Sequence, residues 1–166
     1  INFYTLRKDT KLEELNYYER LITKSIEYLP ACIVHELTHP NQKLFFGDYP
    51  LEEAIREGMA DYFAELFTSQ YLRDYVTVWT NGKVKSWWNK FKPIMYTKGA
   101  TTFFQNGPAE ISPNHPVHIS TYFGYHICKR YVSNKKGGIH KLLSEKLPRA
   151  IFSESFWEDY LATQGL

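Results

Sequence analysis

His35-Glu36-Leu37-Thr38-His39 is followed, eighteen residues after its second histidine, by Glu57-Gly58-Met59-Ala60-Asp61. The first stretch has the form H-E-x-x-H and the second E-x-x-x-D. Residues four apart on a helix lie on one face, one turn above the other. His35 and His39 can therefore turn both imidazoles toward one ion, and neutral imidazole suits Zn²⁺. Glu36 follows the first histidine directly and projects to the side of the metal, where it can take a proton from a zinc-bound water. Catalytic zinc sites usually take three protein ligands and leave the fourth position to water. Glu57 is the expected third ligand, because His₂Glu is a known catalytic set. On a helix covering 50–72, Asp61 falls one turn past Glu57 on the same face. Its carboxylate can there accept the free N–H of a ligating histidine, fixing the tautomer and raising the ligand's basicity.

The plainer alternative for H-E-x-x-H is an amphipathic helix carrying two surface histidines and a solvated Glu. The flanks weigh against it. Cys32, Ile33, Val34 and Leu37 surround the motif with apolar residues, which predicts a mostly buried helix. A buried polar cluster needs partners, and a metal supplies them.

The rest of the chain predicts a mainly α domain with at most a small β-hairpin or short strands. Ile1–Leu6 reads as a short strand. Thr10-Lys11-Leu12-Glu13 has the capping-box form, and Leu12, Leu15, Tyr18, Ile22, Ile26 and Leu29 then recur at helical spacing. Pro30 suits the first turn of the next helix, which carries the motif. Pro40 removes a helical N–H, so that helix ends or kinks near His39. Asp48 is placed to cap a third helix, with Pro50 in its first turn and an end near Leu72. Leu51, Ile55, Met59, Tyr62 and Leu66 form its apolar stripe, and Glu65 is expected in solvent.

Two readings compete over 73–99. Asn81-Gly82 suits a hairpin turn, whereas Trp87, Trp88, Phe91 and Met95 suit a helix over Val84–Tyr96, kinked at Pro93. Gly99–Pro113 reads as a loop, with Phe103-Phe104 lining a cleft. A helix over 116–132, a short one over Ile139–Lys146 ended by Pro148, and a terminal helix opened by Ser155-Phe156-Trp157-Glu158 complete the chain. Gly58 and Gly124 are expected to allow close approach, Gly124 between its own helix and the motif helix.

Composition bounds the function. At 166 residues, 43% of them hydrophobic, the chain is expected to form one domain over 1–166 with a real core. Thirteen Tyr, eleven Phe and four Trp point to a core and cleft built of flat side chains. A net charge of +2 without a basic stripe argues against nucleic acid. No apolar run approaches a membrane span. Cys32 and Cys128 are either reduced and buried or joined to each other, and neither is counted among the ligands. The chain begins at Ile1, which fits a trimmed chain or the removal of a leader. A cytoplasmic and an exported location both stay open, as does the oligomeric state.

The paired motifs resemble the gluzincin branch of zinc metallopeptidases. The resemblance implies a zincin-like fold in which His35, His39 and Glu57 ligate zinc, Glu36 is the base and Asp61 orients a ligand. A closer similarity is to a bacterial group of predicted zinc-dependent proteases. It rests on His35–His39, Glu57–Phe63, Phe103–Gly107 and Tyr122-Phe123-Gly124-Tyr125, and spans roughly residues 20 to 145. Zn²⁺ is the implied cofactor and a peptide or protein the implied substrate.

Peptide hydrolysis also needs a donor for the charge that develops on the carbonyl oxygen. The helix expected over 116–132 offers His118, Tyr122 and His126 at i, i+4 and i+8, with Tyr125 beside them and His115 at its start. Tyr122 is the first choice and His118 the second. Two other functions fit the same motif. One is a zinc-stabilised, non-catalytic binding or regulatory module, whose metal would be closed by a fourth side chain such as His115, His118 or Cys32. The other is a zinc hydrolase of a different amide bond.

Overall fold

A computed structural model describes residues 26–44, 47–73, 76, 83–100, 118–134 and 138–163. The fold is mainly α, and the described residues contain no strand. A 3₁₀ turn over Ile26–Tyr28 leads into α1 (Leu29–Thr38), and a second 3₁₀ turn follows over His39–Asn41. Then come α2 (Pro50–Thr68), α3 (Val84–Phe91), α4 (Ile119–Asn134), α5 (Gly138–Ser144), α6 (Pro148–Ser155) and α7 (Trp157–Thr163). The readings of Ile1–Leu6, Thr10–Glu13, Asn81-Gly82, Phe103-Phe104 and His115 lie outside the described residues.

Local chemistry sets the helix ends. Pro30 and Pro50 sit in first turns, where a missing N–H costs nothing. Tyr49, not Asp48, occupies the cap of α2, and it is extended because the residue before a proline is driven out of the helical region. No side chain caps this end. The Leu51 amide instead donates to the Met95 carbonyl at 3.1 Å, and Gly99 N–H donates to the Asp48 carbonyl at 2.8 Å. The chain after α3 thus closes the start of α2. At the other end α2 stops four residues short of Leu72, where Ser69 takes a left-handed conformation and its N–H returns to the Glu65 carbonyl. The apolar stripe fails there, because Leu66 is already exposed and Ser69-Gln70 follow.

Over 84–96 the helical reading holds, but α3 ends at Phe91, short of Tyr96, because Pro93 cannot continue it. Pro148 does not end a helix; it opens α6 from the N1 position that proline favours. Ser155 accepts the Trp157 N–H at 3.2 Å. The capping box is nevertheless incomplete, since Glu158 goes to Trp88 Nε1 at 3.2 Å and to Lys92. Nor is Glu65 free in solvent, because it accepts the Tyr125 hydroxyl and the Lys129 ammonium.

The aromatic residues build the core between α2, α3, α4, α6 and α7. Trp88 packs its ring on Phe123 at 5.1 Å and on Trp157 at 6.0 Å, and all three are buried. Among the described elements, helices α2 and α4 make the most extensive contact. A Cβ on Gly58 would overlap the backbone of Gly124 and Tyr125, and one on Gly124 would overlap the Ala54 carbonyl. Gly124 therefore allows close approach to the helix that carries Glu57, not to the motif helix. Neither obstacle is a flexible side chain, so a methyl group has to push the helices apart. Gly124→Ala is expected to cost about 3 kcal/mol, the upper end for overpacking. Urea unfolding measures it, and an unchanged midpoint would show that the helices separate without penalty.

Candidate metal centre

Helix α1 is half buried, not mostly buried. Ala31, Cys32, His35 and Thr38 face inward, while Ile33 and Leu37 are 49% and 61% exposed. Pro40 ends the helix at Thr38, as its position predicts, yet His39 keeps helical dihedrals. Its ring therefore stays one turn from His35, with the two Nε2 atoms 3.3 Å apart.

Helix α2 brings a carboxylate to the same point. Glu57 Oε2 lies 3.4 Å from His35 Nε2, and its Oε1 lies 3.6 Å from His39 Nε2. One ligand atom from each of His35, His39 and Glu57 falls within 4.8 Å of the others. Among the described residues these three are the group whose spacing could hold a metal ion.

The outer nitrogens settle the tautomers. His35 Nδ1 is 2.8 Å from Asp61 Oδ1, and His39 Nδ1 is 3.4 Å from Gln42 Oε1. An ionised carboxylate and an amide oxygen only accept hydrogen bonds, so both Nδ1 atoms carry the proton. Both Nε2 lone pairs then face each other and a carboxylate. Three acceptors converge with no donor between them, an arrangement that a cation satisfies. The donor set therefore fits Zn²⁺.

Without a cation, a proton takes that place. Burial pulls His35 toward the neutral form, but its hydrogen bonds to Asp61 and Glu57 outweigh burial and hold its pKa at about 9. Burial likewise opposes the charge on Glu57, yet the His35 hydrogen bond and the charges of His35, Arg56 and His39 keep its pKa at about 2.

Glu36 is exposed directly after His35, and its charge reaches both Arg56 and Cys32. Asp61 is fully buried. His118 is buried at the start of α4 with φ of 60°, a left-handed conformation uncommon for a residue with a Cβ. Burial, helped by the Arg73 charge, pushes it well below the usual histidine range, and the charges of Glu57 and His35 also reach it. It is a neutral imidazole near the cluster. Tyr122 is one turn further along and buried, with its ring 4.4 Å from His126 and 6.0 Å from Phe123. His126 turns away to stack on Trp157 at 5.8 Å, and burial lowers its pKa to about 4. Cys32 and Cys128 are free, buried thiols with raised pKa.

Three neighbours were missed by the spacing argument. Gln42 holds His39 while its own Nε2 donates to the Arg56 carbonyl at 2.7 Å. Its place three residues after His39 was the available signal. Arg56 grips Glu57 Oε1 at 2.8 Å and also Glu53. Arg73 Nε lies 3.0 Å from Asp61 Oδ2, and nothing in the periodicity pointed to it.

A family model described as "Predicted Zn-dependent protease (DUF2268)" matches residues 17–150. No curated protein and no solved structure matches the chain.

The raised His35 pKa has a measurable consequence. A group whose pKa is raised holds its proton until the pH passes the raised value, and a metal that needs its lone pair must displace that proton. Zinc affinity is therefore expected to rise about tenfold per pH unit from pH 7 to about 9 through His35 alone. Chelator-competition titrations at several pH values measure it, and a flat profile would show that His35 carries no such proton.

Proposed function

We propose that this chain, which belongs to the family of predicted Zn-dependent proteases, is a zinc metallopeptidase of the gluzincin type that hydrolyses peptide bonds. The observation that supports this most is the convergence of His35 Nε2, His39 Nε2 and a Glu57 carboxylate oxygen, with both outer ring nitrogens already committed to acceptors.

His35, His39 and Glu57 would hold the ion, while Asp61 and Gln42 keep the two rings in the tautomer that presents Nε2. When bound, zinc supplies a Lewis acid for the scissile carbonyl and lets a water lose its proton near neutral pH. Glu36 is exposed beside the ligands, free of the buried hydrogen bonds that occupy Asp61. It takes the proton of the attacking water and returns it to the leaving amine. His118 and Tyr122 are the two donors for the carbonyl oxygen. His118 has the stronger support, because its surroundings include His35 and Glu57 and its buried ring is neutral, with one N–H to donate. Arg56 restrains Glu57 from the outside and keeps that carboxylate ionised.

The described residues contain no helix long and apolar enough to cross a membrane. Neither Cys32 nor His118 joins His35, His39 and Glu57 in the group that could hold a metal ion, and His115 lies outside the described residues.

Glu36→Gln is expected to retain zinc at wild-type stoichiometry and lose at least about 10²-fold in cleavage of a peptide library, the scale of general acid–base catalysis. Cleavage at the wild-type rate by that variant would overturn the proposed mechanism. His118→Ala and Tyr122→Phe separate the two donors. The true donor should lower turnover by about 10²–10³-fold with zinc content unchanged, and a rate unmoved in either variant removes that residue from the role.

A further inference from the structure

Asp61 has two carboxylate oxygens, and each lies against a different side chain, Oδ1 in a hydrogen bond and Oδ2 in a close ion pair that is not aligned as a hydrogen bond. Oδ1 accepts from His35 Nδ1 at 2.8 Å, and Oδ2 lies 3.0 Å from Arg73 Nε. All three residues are buried, with exposures of 3%, 0% and 4% for His35, Asp61 and Arg73. The result is a continuous line from a guanidinium, through one carboxylate, to the imidazole whose other nitrogen joins the ligand cluster.

Chain geometry makes this possible only because α2 stops early. Had the helix run on, residue 73 would lie about 18 Å along the axis from residue 61, at roughly 1.5 Å per residue. Ser69 instead takes φ of 60°, and the chain folds back. Leu72, fully buried against Ala31, Cys32 and Ala64, anchors the returning segment between α1 and α2. That anchor delivers Arg73 to Asp61.

A buried carboxylate with one histidine partner has a second oxygen to satisfy and a rotation about χ2 to lose. A buried cation 3.0 Å from that oxygen balances its charge and restricts the rotation. We propose that Arg73 is a positioning residue of the metal centre. It clamps Asp61, and through Asp61 it holds the His35 ring in the orientation that presents Nε2 to the ion. The inference rests on the zinc reading above and extends it to a residue outside both motifs.

The test is a zinc titration against a chelating indicator, using wild type, Arg73→Gln, Asp61→Asn and the double variant, with Co²⁺ absorption as the second readout. Loss of a partner behind a metal ligand typically weakens the metal by about 10- to 100-fold, and Arg73→Gln is expected to fall in that range and to shift the Co²⁺ bands. Because Arg73 acts through Asp61, the double variant should bind zinc no more weakly than Asp61→Asn alone. Wild-type affinity and an unshifted spectrum in Arg73→Gln would overturn the proposal, and so would losses that add in the double variant. Should Arg73→Gln not fold, Arg73→Lys replaces it. That variant keeps the charge but loses the planar fork, so a several-fold loss is expected and unchanged affinity would overturn the proposal. A wild type that binds no zinc at all would overturn the zinc reading itself, and this inference with it.

Discussion

Helices α2 and α4 meet backbone to backbone, and the site depends on that contact. Gly58 and Gly124 leave no room for a methyl group, and the Ala54 carbonyl lies directly against Gly124. Glu57 is the immediate neighbour of Gly58, so the proposed third ligand is held one position from this backbone-to-backbone contact. Asp61, one turn on, inherits the same restraint. The other side of the contact fixes the start of α4 and therefore His118. Packing at protein density is intolerant of small shifts, so a glycine contact of this kind sets the position of a ligand as firmly as a hydrogen bond could.

Charge alternates through the buried region. Arg73 pairs with Asp61, Asp61 with His35, His35 with Glu57, Glu57 with Arg56, and Arg56 with Glu53. Desolvating ions is costly, and a pair repays the cost only when geometry is good and remaining polar atoms are served. Here Asp61, His35 and Glu57 each have a partner on both sides, and Arg73 closes the inner end against Asp61 by charge at 3.0 Å without a hydrogen bond between Nε and Oδ2. The line also grades from inside to outside. Asp61 and Arg73 are fully enclosed, Glu57 is 17% exposed, and Arg56 and Glu53 reach solvent. Removing an inner member leaves a charge with no access to water, whereas removing an outer one exposes Glu57 to solvent that can replace the lost contact.

What the sequence made legible was whatever depends on helical period alone. His35 and His39 share a face because they are four apart, and Glu57 and Asp61 likewise, so four positions of the cluster followed from spacing. The mainly α class followed from the same periodicities. What escaped depends on where helices stop and which way they turn in space. Arg73 could not be placed, because its arrival at Asp61 needs the left-handed turn at Ser69, and serine carries no strong signal for that conformation. Asp48 looked like a cap, but Pro50 forces the preceding residue to be extended, and Tyr49 takes the cap position. Ile33 and Leu37 are apolar and still face outward, since the inward stripe of α1 is spent on Ala31, Cys32, His35 and Thr38. The row of His118, Tyr122 and His126 looked like one functional face. Its last member instead turns into the aromatic core against Trp157.

Pro40 gives the two histidines different surroundings. It stops α1 just after the motif, and a 3₁₀ turn replaces the next helical turn. In that geometry side chains three apart stack over one another, which sets Gln42 beneath His39 and lets its amide oxygen take the Nδ1 proton. His35 lies within the continuous part of α1, faces α2, and receives an ionised carboxylate instead. A carboxylate partner raises the basicity of a ligating imidazole, and an amide does so far less. The buried histidine is thus the more firmly held of the two proposed ligands, while the one at the helix end, 20% exposed, carries a neutral partner and borders solvent. The asymmetry places the more enclosed histidine toward the core and the less enclosed one toward solvent.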